Sequence, residues 1–321
     1  MSKKPAIVFF GTPEFAVPSL EILFKNGFPV VGVVTAPDKP SGRGQKITSS
    51  PVKEFAIANM LRVLQPSNLK EEGFINELVS LKADLQVVVA FRMLPEVIWS
   101  MPPLGTFNLH ASLLPHYRGA APINWVIING EKKAGLTTFF LDKDIDSGKI
   151  IFREQTMIGK LETAGELHDR LKESGAALVL KTANAIFEKD VHLLDQQELS
   201  VGKVLIPAPK LTRENTRIDL HKRPEQICNF VLGLTPYPGA HTQLNSNNGI
   251  SFTLKIYSVT PAMCAHSYPA GKVITDNKSF LNIYFPGGYV SVDELQLSGK
   301  NRVKIKDFLN GLKIEGDWYI Q

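Results

Sequence analysis

AIVFFGTPEFAVPSLEILF, residues 6–24, decides the fold. Residues 6–10 are a short continuous apolar run, which suits a strand buried on both faces. Gly11, Thr12 and Pro13 follow, with Thr12 placed to cap a helix and Pro13 at its first position, so the stretch reads strand, tight turn, helix. The pattern recurs. Residues 30–35, 85–90, 106–110 and 137–141 read as further strands, and 51–60 and 71–81 as helices between them. Continuous apolar strands alternating with helices predict an α/β, Rossmann-like unit, a mostly parallel sheet with helices on both faces. Thr163, Ala164, Gly165 and Glu166 form a capping-box sequence, and Leu167, Leu171, Leu178 and Ile186 recur at near-helical spacing through a long helix that closes this unit.

From about residue 191 the texture changes to Gln196-Gln197, then Pro207 and Pro209, then the polar run RENTR at 213–217. The expected division is therefore a first domain over 1–190, a linker over 191–206 and a second domain over 207–321. After a helix near 224–232, the second domain consists of short β-like runs at 253–259, 271–275, 281–285 and 289–297, which argue for a small β-barrel or sandwich.

The 321 residues are 44% hydrophobic and 21% charged, ordinary soluble globular composition. No run reaches the roughly 18 apolar residues of a membrane span, and the first residues lack the apolar segment of a secretory signal, so no membrane partner and a cytoplasmic location are expected. Cys228 and Cys264 show no metal-ligand spacing and are expected as two buried thiols. The net charge of +5 is uneven, +1 over residues 1–206 and +4 over 207–321. A basic C-terminal third suits a phosphate-backbone partner and equally an ordinary solvated surface.

The first turn fails as a dinucleotide site, because GTPEFA has one glycine where GxGxxG needs three. The chemistry lies further along, in FNLHASLLPHYRGAAPI at 107–123. Strand alternation puts Asn108 and His110 on one face, and the strand then breaks at Pro115 and again at 117–119, so the polar pair sits where open α/β sheets hold their ligands. LDKDIDSGKI, 141–150, supplies Asp142, Asp144 and Asp146. An arbitrary run of this kind solvates a loop. One aspartate facing the pair would instead hold the histidine tautomer and favour its charged form.

These residues converge on a family. FNLHASLLPHYRGAAPI followed by DIDSG, with FGTPEFA at 10–16 and VVVAFRMLP at 87–95, resembles the folate-dependent formyltransferases. The resemblance runs the length of the chain, since TAPDKPSGRGQK (35–46), SPVK (50–53), PAPKLTRENTRID (207–219) and LTPYPGAHT (234–242) also match the branch that acts on charged initiator tRNA. Leu220 departs from it, standing where that branch often has tryptophan. The glycinamide ribonucleotide branch shares Asn, His and Asp but has no such C-terminal domain.

The resemblance implies a one-carbon transferase of translation initiation, passing a formyl group from 10-formyltetrahydrofolate to the amino group of methionine on initiator tRNA, with no metal. It implies Asn108, His110 and Asp146 as the catalytic set. Ser112, Leu113, Leu114 and Pro115, with Phe91, Met93, Leu94 and Pro95 and the loop of Asp142 and Asp144, would line the folate pocket. Lys39, Arg43 and Lys46, in a basic loop that also holds Lys53, would meet tRNA. The second domain would be an OB-like barrel that docks tRNA, and the chain a monomer. Formylation of an amino-sugar nucleotide, which uses a similar pair of domains, is the alternative enzyme reading; a catalytically dead RNA-binding relative is the other. Arg118 would hold its loop or touch the tRNA end, and His116 would be a loop histidine.

Overall fold

The computed structural model describes residues 4–41 and 46–321. By contact the chain falls into two units: residues 1–119, 134–156 and 168–207 in the first, and 120–133, 157–167 and 208–321 in the second. Residues 191–206, expected as linker, group with the first unit and contain the short helix α7 (Gln196–Ser200), while the N-terminal turn of the long helix groups with the second.

The first unit is built on a seven-stranded sheet. Its order is Ile150–Met157, Lys133–Phe140, Thr106–His110, Leu85–Val89, Ile7–Gly11, Val30–Val34, Val63–Leu64. The pairings from Thr106–His110 to Val63–Leu64 are all parallel, and Lys133–Phe140 runs antiparallel to Thr106–His110. Helices α1 (Val17–Lys25), α2 (Pro51–Ala58), α3 (Glu72–Ser80) and α4 (Glu96–Trp99) connect the parallel strands. Ile7, Val8, Phe9 and Phe10 are all fully buried, as an apolar run covered on both faces requires. Each such side chain contributes about 1.5–3 kcal/mol of transfer free energy.

Local chemistry explains the boundaries. The helix expected right after Gly11 begins instead at Val17, behind a 3₁₀ turn at Glu14–Ala16. Thr12 caps nothing, and its hydroxyl accepts from the Ala36 N–H at 3.3 Å. Gly11 is needed for close approach, since a Cβ there would stand 2.7 Å from the Phe9 ring and 2.8 Å from Ala16 Cβ. At the long helix, α6 (Ala164–Glu188), the capping box is formed: Thr163 N donates to Glu166 Oε2 (2.8 Å) and Glu166 N to Thr163 Oγ1 (3.2 Å).

The second unit is a closed antiparallel barrel. Six strands follow the ring order Ser251–Met263, Ala240–Ser246, Trp318–Ile320, Lys272–Thr275, Leu281–Phe285, Gly288–Leu297, and the last pairs back onto the first. Val303–Lys304 adds a two-residue strand to the outside of Gly288–Leu297. Ile256, Ile283, Phe285, Val290 and Leu295 are among the residues filling the interior, and α8 (Pro224–Gly233) packs Ile227, Cys228 and Val231 into the same core. Leu220 is half-buried against this core.

One of the two cysteines departs from expectation. Cys228 is buried, and burial pushes its thiol up to about 11, whereas Cys264 is exposed. A thiol reagent is therefore expected to modify one cysteine per native chain and two after denaturation; modification of both at equal rates in the native protein would contradict this packing. No helix among the described residues is long and apolar enough to cross a membrane.

Candidate active site

Asn108 and His110 lie on the strand Thr106–His110, the last parallel strand before the antiparallel pair, with Phe107 and Leu109 buried on the opposite face. His110 is 7% exposed. Its Nε2 stands 2.8 Å from the Tyr117 carbonyl, and because a carbonyl only accepts, that nitrogen carries the proton. Nδ1 faces Asp146, 3.8 Å from Oδ2. That is too long for a hydrogen bond.

The residue that fixes the ring is thus Tyr117, through its backbone, and not the aspartate. Asp146 Oδ2 is itself held by the Gly119 N–H at 2.9 Å. Nε2 is thus committed to the Tyr117 carbonyl, while Nδ1 makes no hydrogen bond to the carboxylate it faces. The Asn108 amide, half-buried, has no hydrogen-bond partner among the described residues and is available to a ligand.

The residues expected around folate fall into two groups. Phe91 and Leu94 belong to the cluster around Phe10 and Val88, where the Phe91 ring meets Phe10 edge-on at 5.6 Å. Leu94 is buried there, Pro95 is half-buried and precedes α4, and Met93 is 66% exposed. Arg92 fastens this loop by donating to the Ser67 carbonyl at 2.9 Å. The second group is the 112–115 turn. Ser112 is fully buried with its hydroxyl donating to the His116 carbonyl at 2.8 Å, and Thr137 Oγ1 donates to the Ser112 carbonyl (2.7 Å) while accepting from Leu114 N (3.2 Å).

Leu114 points into a small cluster with Phe139 and Ile150 and is fully buried, its carbonyl accepting from Arg153 Nη1 at 3.2 Å; Pro115 is buried and Leu113 half-buried. Leu141 packs against both clusters and so joins the two walls. Sequence reading missed it, because it is one leucine at the end of an apolar run. Asp142 and Asp144 are exposed on the loop beyond, the former accepting from Lys143 N at 2.6 Å.

Gly148 closes that loop. A Cβ at this position would lie 1.8 Å from the Phe140 carbonyl oxygen, a backbone atom that cannot swing away. Gly148→Ala is expected to displace the 142–148 loop and cost about 1–3 kcal/mol of stability, with a loss of turnover larger than the loss of folded protein. A variant with wild-type melting temperature and rate would show that the loop is not held this tightly.

Of the expected tRNA contacts, Lys39 is exposed on a short antiparallel hairpin in which Lys39–Ser41 pairs with Lys46–Thr48. Arg43 lies outside the described residues, and for Lys46 only the backbone is described. Lys53 is not a free cation: it pairs with Asp38 at 2.5 Å. Hydrogen bonds from Lys53 and then Gln65 hold the Asp38 carboxyl below its ordinary range. Because that folded-state value is depressed, the anchor is present above the ordinary carboxylate range and is lost only as pH falls through the lowered one.

Arg118 donates to Gln196 Oε1 from Nε (3.2 Å) and Nη2 (2.7 Å), and His116 Nδ1 accepts from Ile206 N at 3.5 Å. The Ile206 carbonyl also accepts from Tyr117 N at 2.6 Å.

Two family models match the chain, "Formyl transferase" over residues 3–183 and "Formyl transferase, C-terminal domain" over 210–313. Among curated relatives, a methionyl-tRNA formyltransferase of Bacteroides thetaiotaomicron is 48% identical over 308 residues, covering 96% of each chain. One from Flavobacterium johnsoniae is 50% identical over 310 residues, covering 97% of each. Among solved structures, a sugar 3N-formyl transferase superposes with a TM-score of 0.63 at 19% identity, over 94% of this chain and all of the other. An N-formyltransferase from Helicobacter canadensis gives 0.62 at 21%, over 91% and 99%. At those identities the structural neighbours speak for the fold, while the matched domains and the half-identical, full-length relatives settle descent: the chain belongs to the formyl transferase family.

Proposed function

We propose that this protein transfers the formyl group of 10-formyltetrahydrofolate to the α-amino group of methionine carried by initiator tRNA, yielding N-formylmethionyl-tRNA in the cytoplasm, where translation begins. The observation that supports the reaction class is the strand end where an unpartnered amide, an imidazole with both nitrogens facing oxygens, and a carboxylate converge. The choice of acceptor rests on relatives of nearly identical length and about half-identical sequence.

When the amine attacks the formyl carbon, negative charge collects on the formyl oxygen. Asn108 Nδ2 is suited to receive it, together with His110 once protonated at Nδ1, the ring nitrogen that the Tyr117 carbonyl does not occupy; preorganised donors aimed at developing charge are the largest common source of rate enhancement. Asp146 places its carboxylate 3.8 Å from the same ring nitrogen. The attacking ammonium must lose protons as the folate nitrogen gains one, a transfer suited to a bound water. For the folate itself the side chains fit: Phe91 and Leu141 offer apolar surface to a flat ring, and the turn's half-buried residue, Leu113, offers backbone polar atoms to its amide edge. Exposed Lys39 and the +4 charge of residues 207–321 suit the phosphates of tRNA.

The test is to offer labelled 10-formyltetrahydrofolate with charged initiator tRNA, glycinamide ribonucleotide or an amino-sugar nucleotide in parallel. Label is expected in the tRNA alone. Label in the sugar nucleotide and none in tRNA would reverse the acceptor, and label in none would leave an RNA-binding protein without turnover.

A further inference from the structure

The two groups that face His110, the Tyr117 carbonyl and the Asp146 carboxylate, belong to loops nearly thirty residues apart, and one later segment reaches both. That segment enters beside the sheet, where Leu194 and Ile150 exchange backbone hydrogen bonds at 2.9 Å each way. Asp195 then caps α7 by accepting from Gln197 N at 2.7 Å, and this delivers Gln196 inward with 1% of its surface exposed. Gln196 Nε2 donates to the carbonyls of Asp146 (2.9 Å) and Gly148 (2.7 Å), while its Oε1 accepts both bonds from Arg118. Two donors and two acceptor sites are all that a primary amide possesses, so the side chain is saturated. Ten residues on, the Ile206 carbonyl takes the N–H of Tyr117.

Asp146 itself holds a φ of +53°, in the left-handed region that residues other than glycine adopt at a cost. Such a conformation persists only where its surroundings fix it, and the carbonyl of this residue is one of the two that Gln196 holds.

We propose that Gln196 is the positioning residue of this active site: it clamps the 146–148 backbone against Arg118 and thereby sets where the Asp146 carboxylate stands relative to the His110 ring. The proposal rests on formyl transfer through His110 and adds a residue that no part of the Asn108–His110–Asp146 motif contains. A buried amide that served stability alone would make the same hydrogen bonds, so the experiment must read the coupling to Asp146.

Gln196→Ala and Gln196→Glu are made in the full-length chain, alone and combined with Asp146→Asn, and kcat and KM are measured for both substrates alongside the melting temperature. Gln196→Ala is expected to lower kcat by about 10- to 100-fold, the effect of a displacement near 1 Å, with each KM changed by less than about twofold. In the Asp146→Asn background it is expected to cost nothing more, because the carboxylate through which it acts is gone. Gln196→Glu keeps the volume and the acceptor for Arg118 but turns an acceptor toward two carbonyls. It gives a second reading of the same loss if the alanine variant does not fold.

A folded Gln196 variant with kcat within about twofold of wild type, or losses that multiply in the double variant, would overturn the proposal. Failure of the wild-type chain to formylate the tRNA overturns the acceptor instead, and the cycle is then run on whichever amine the parallel assay identifies.

Discussion

Asn108→Ala is expected to lower kcat by about 10²–10³-fold, with folate affinity nearly unchanged, since in the proposed reaction its amide acts on charge that exists only in the transition state. This substitution is the sharpest available, since the amide makes no hydrogen bond within the described protein and its removal strands no partner. Stability is therefore expected to move little, and a lost rate is a lost catalytic group. His110→Ala is expected to cost as much in rate, but it also strips the buried Tyr117 carbonyl of its donor. That adds about 1–3 kcal/mol of destabilisation. Steady-state kinetics with folate affinity measured separately decides the matter. An Asn108→Ala enzyme with near wild-type kcat, or one whose loss lay wholly in KM, would remove the amide from the oxyanion site.

Ending the chain at residue 206 is expected to give a protein that is mostly insoluble. The helix α5 (Pro122–Ile128) lies early in the sequence but packs within the second unit. Trp125 Nε1 donates to the Pro209 carbonyl at 2.8 Å and Asn124 Nδ2 to the Gly233 carbonyl at 2.7 Å. Helices α5 and α8 approach so closely that a Cβ on Gly233 would stand 2.5 Å from Ile128 Cγ1. The shortened chain leaves that face of α5 bare, with Ile128 cut off from the barrel core against which it packs. The measurement is the soluble fraction and thermal transition of residues 1–206 against the full chain. A soluble fragment with a cooperative transition near that of the full chain would show that α5 needs no partner from the second unit.

Where the chain is locally determined, the sequence was readable. The strand Thr106–His110 ends where its pattern does, and the capping box at Thr163 closes as its spacing demands, because each depends on neighbours within a few residues. Helix α5 escaped: PINWVII is short and, Asn124 apart, apolar, with no period to follow. The strand Ile150–Met157 escaped too, since Arg153 and Glu154 interrupt its apolar character. In the site, Asn108, His110 and Asp146 were legible as a motif, but the hydrogen bond that turns the imidazole was not. It comes from a backbone carbonyl, and backbone carbonyls carry no residue identity. Gln196 and Leu141 matter only through residues brought close by the fold, so nothing in their own sequence surroundings marks them.

The ring order of the barrel also sets a timetable. Trp318–Ile320, the strand that sits between Ala240–Ser246 and Lys272–Thr275, comes last in sequence. On the ribosome, where domains form from the N-terminal side at about 5–20 residues per second, the other five strands emerge first and can form only an open sheet. Both strands that will flank residue 318 then present bare edges, and bare edges pair with whatever chain is near. Three residues, two of them nearly buried in the finished core, end that exposure when they arrive. The nascent protein is thus most prone to sticking just before its barrel closes.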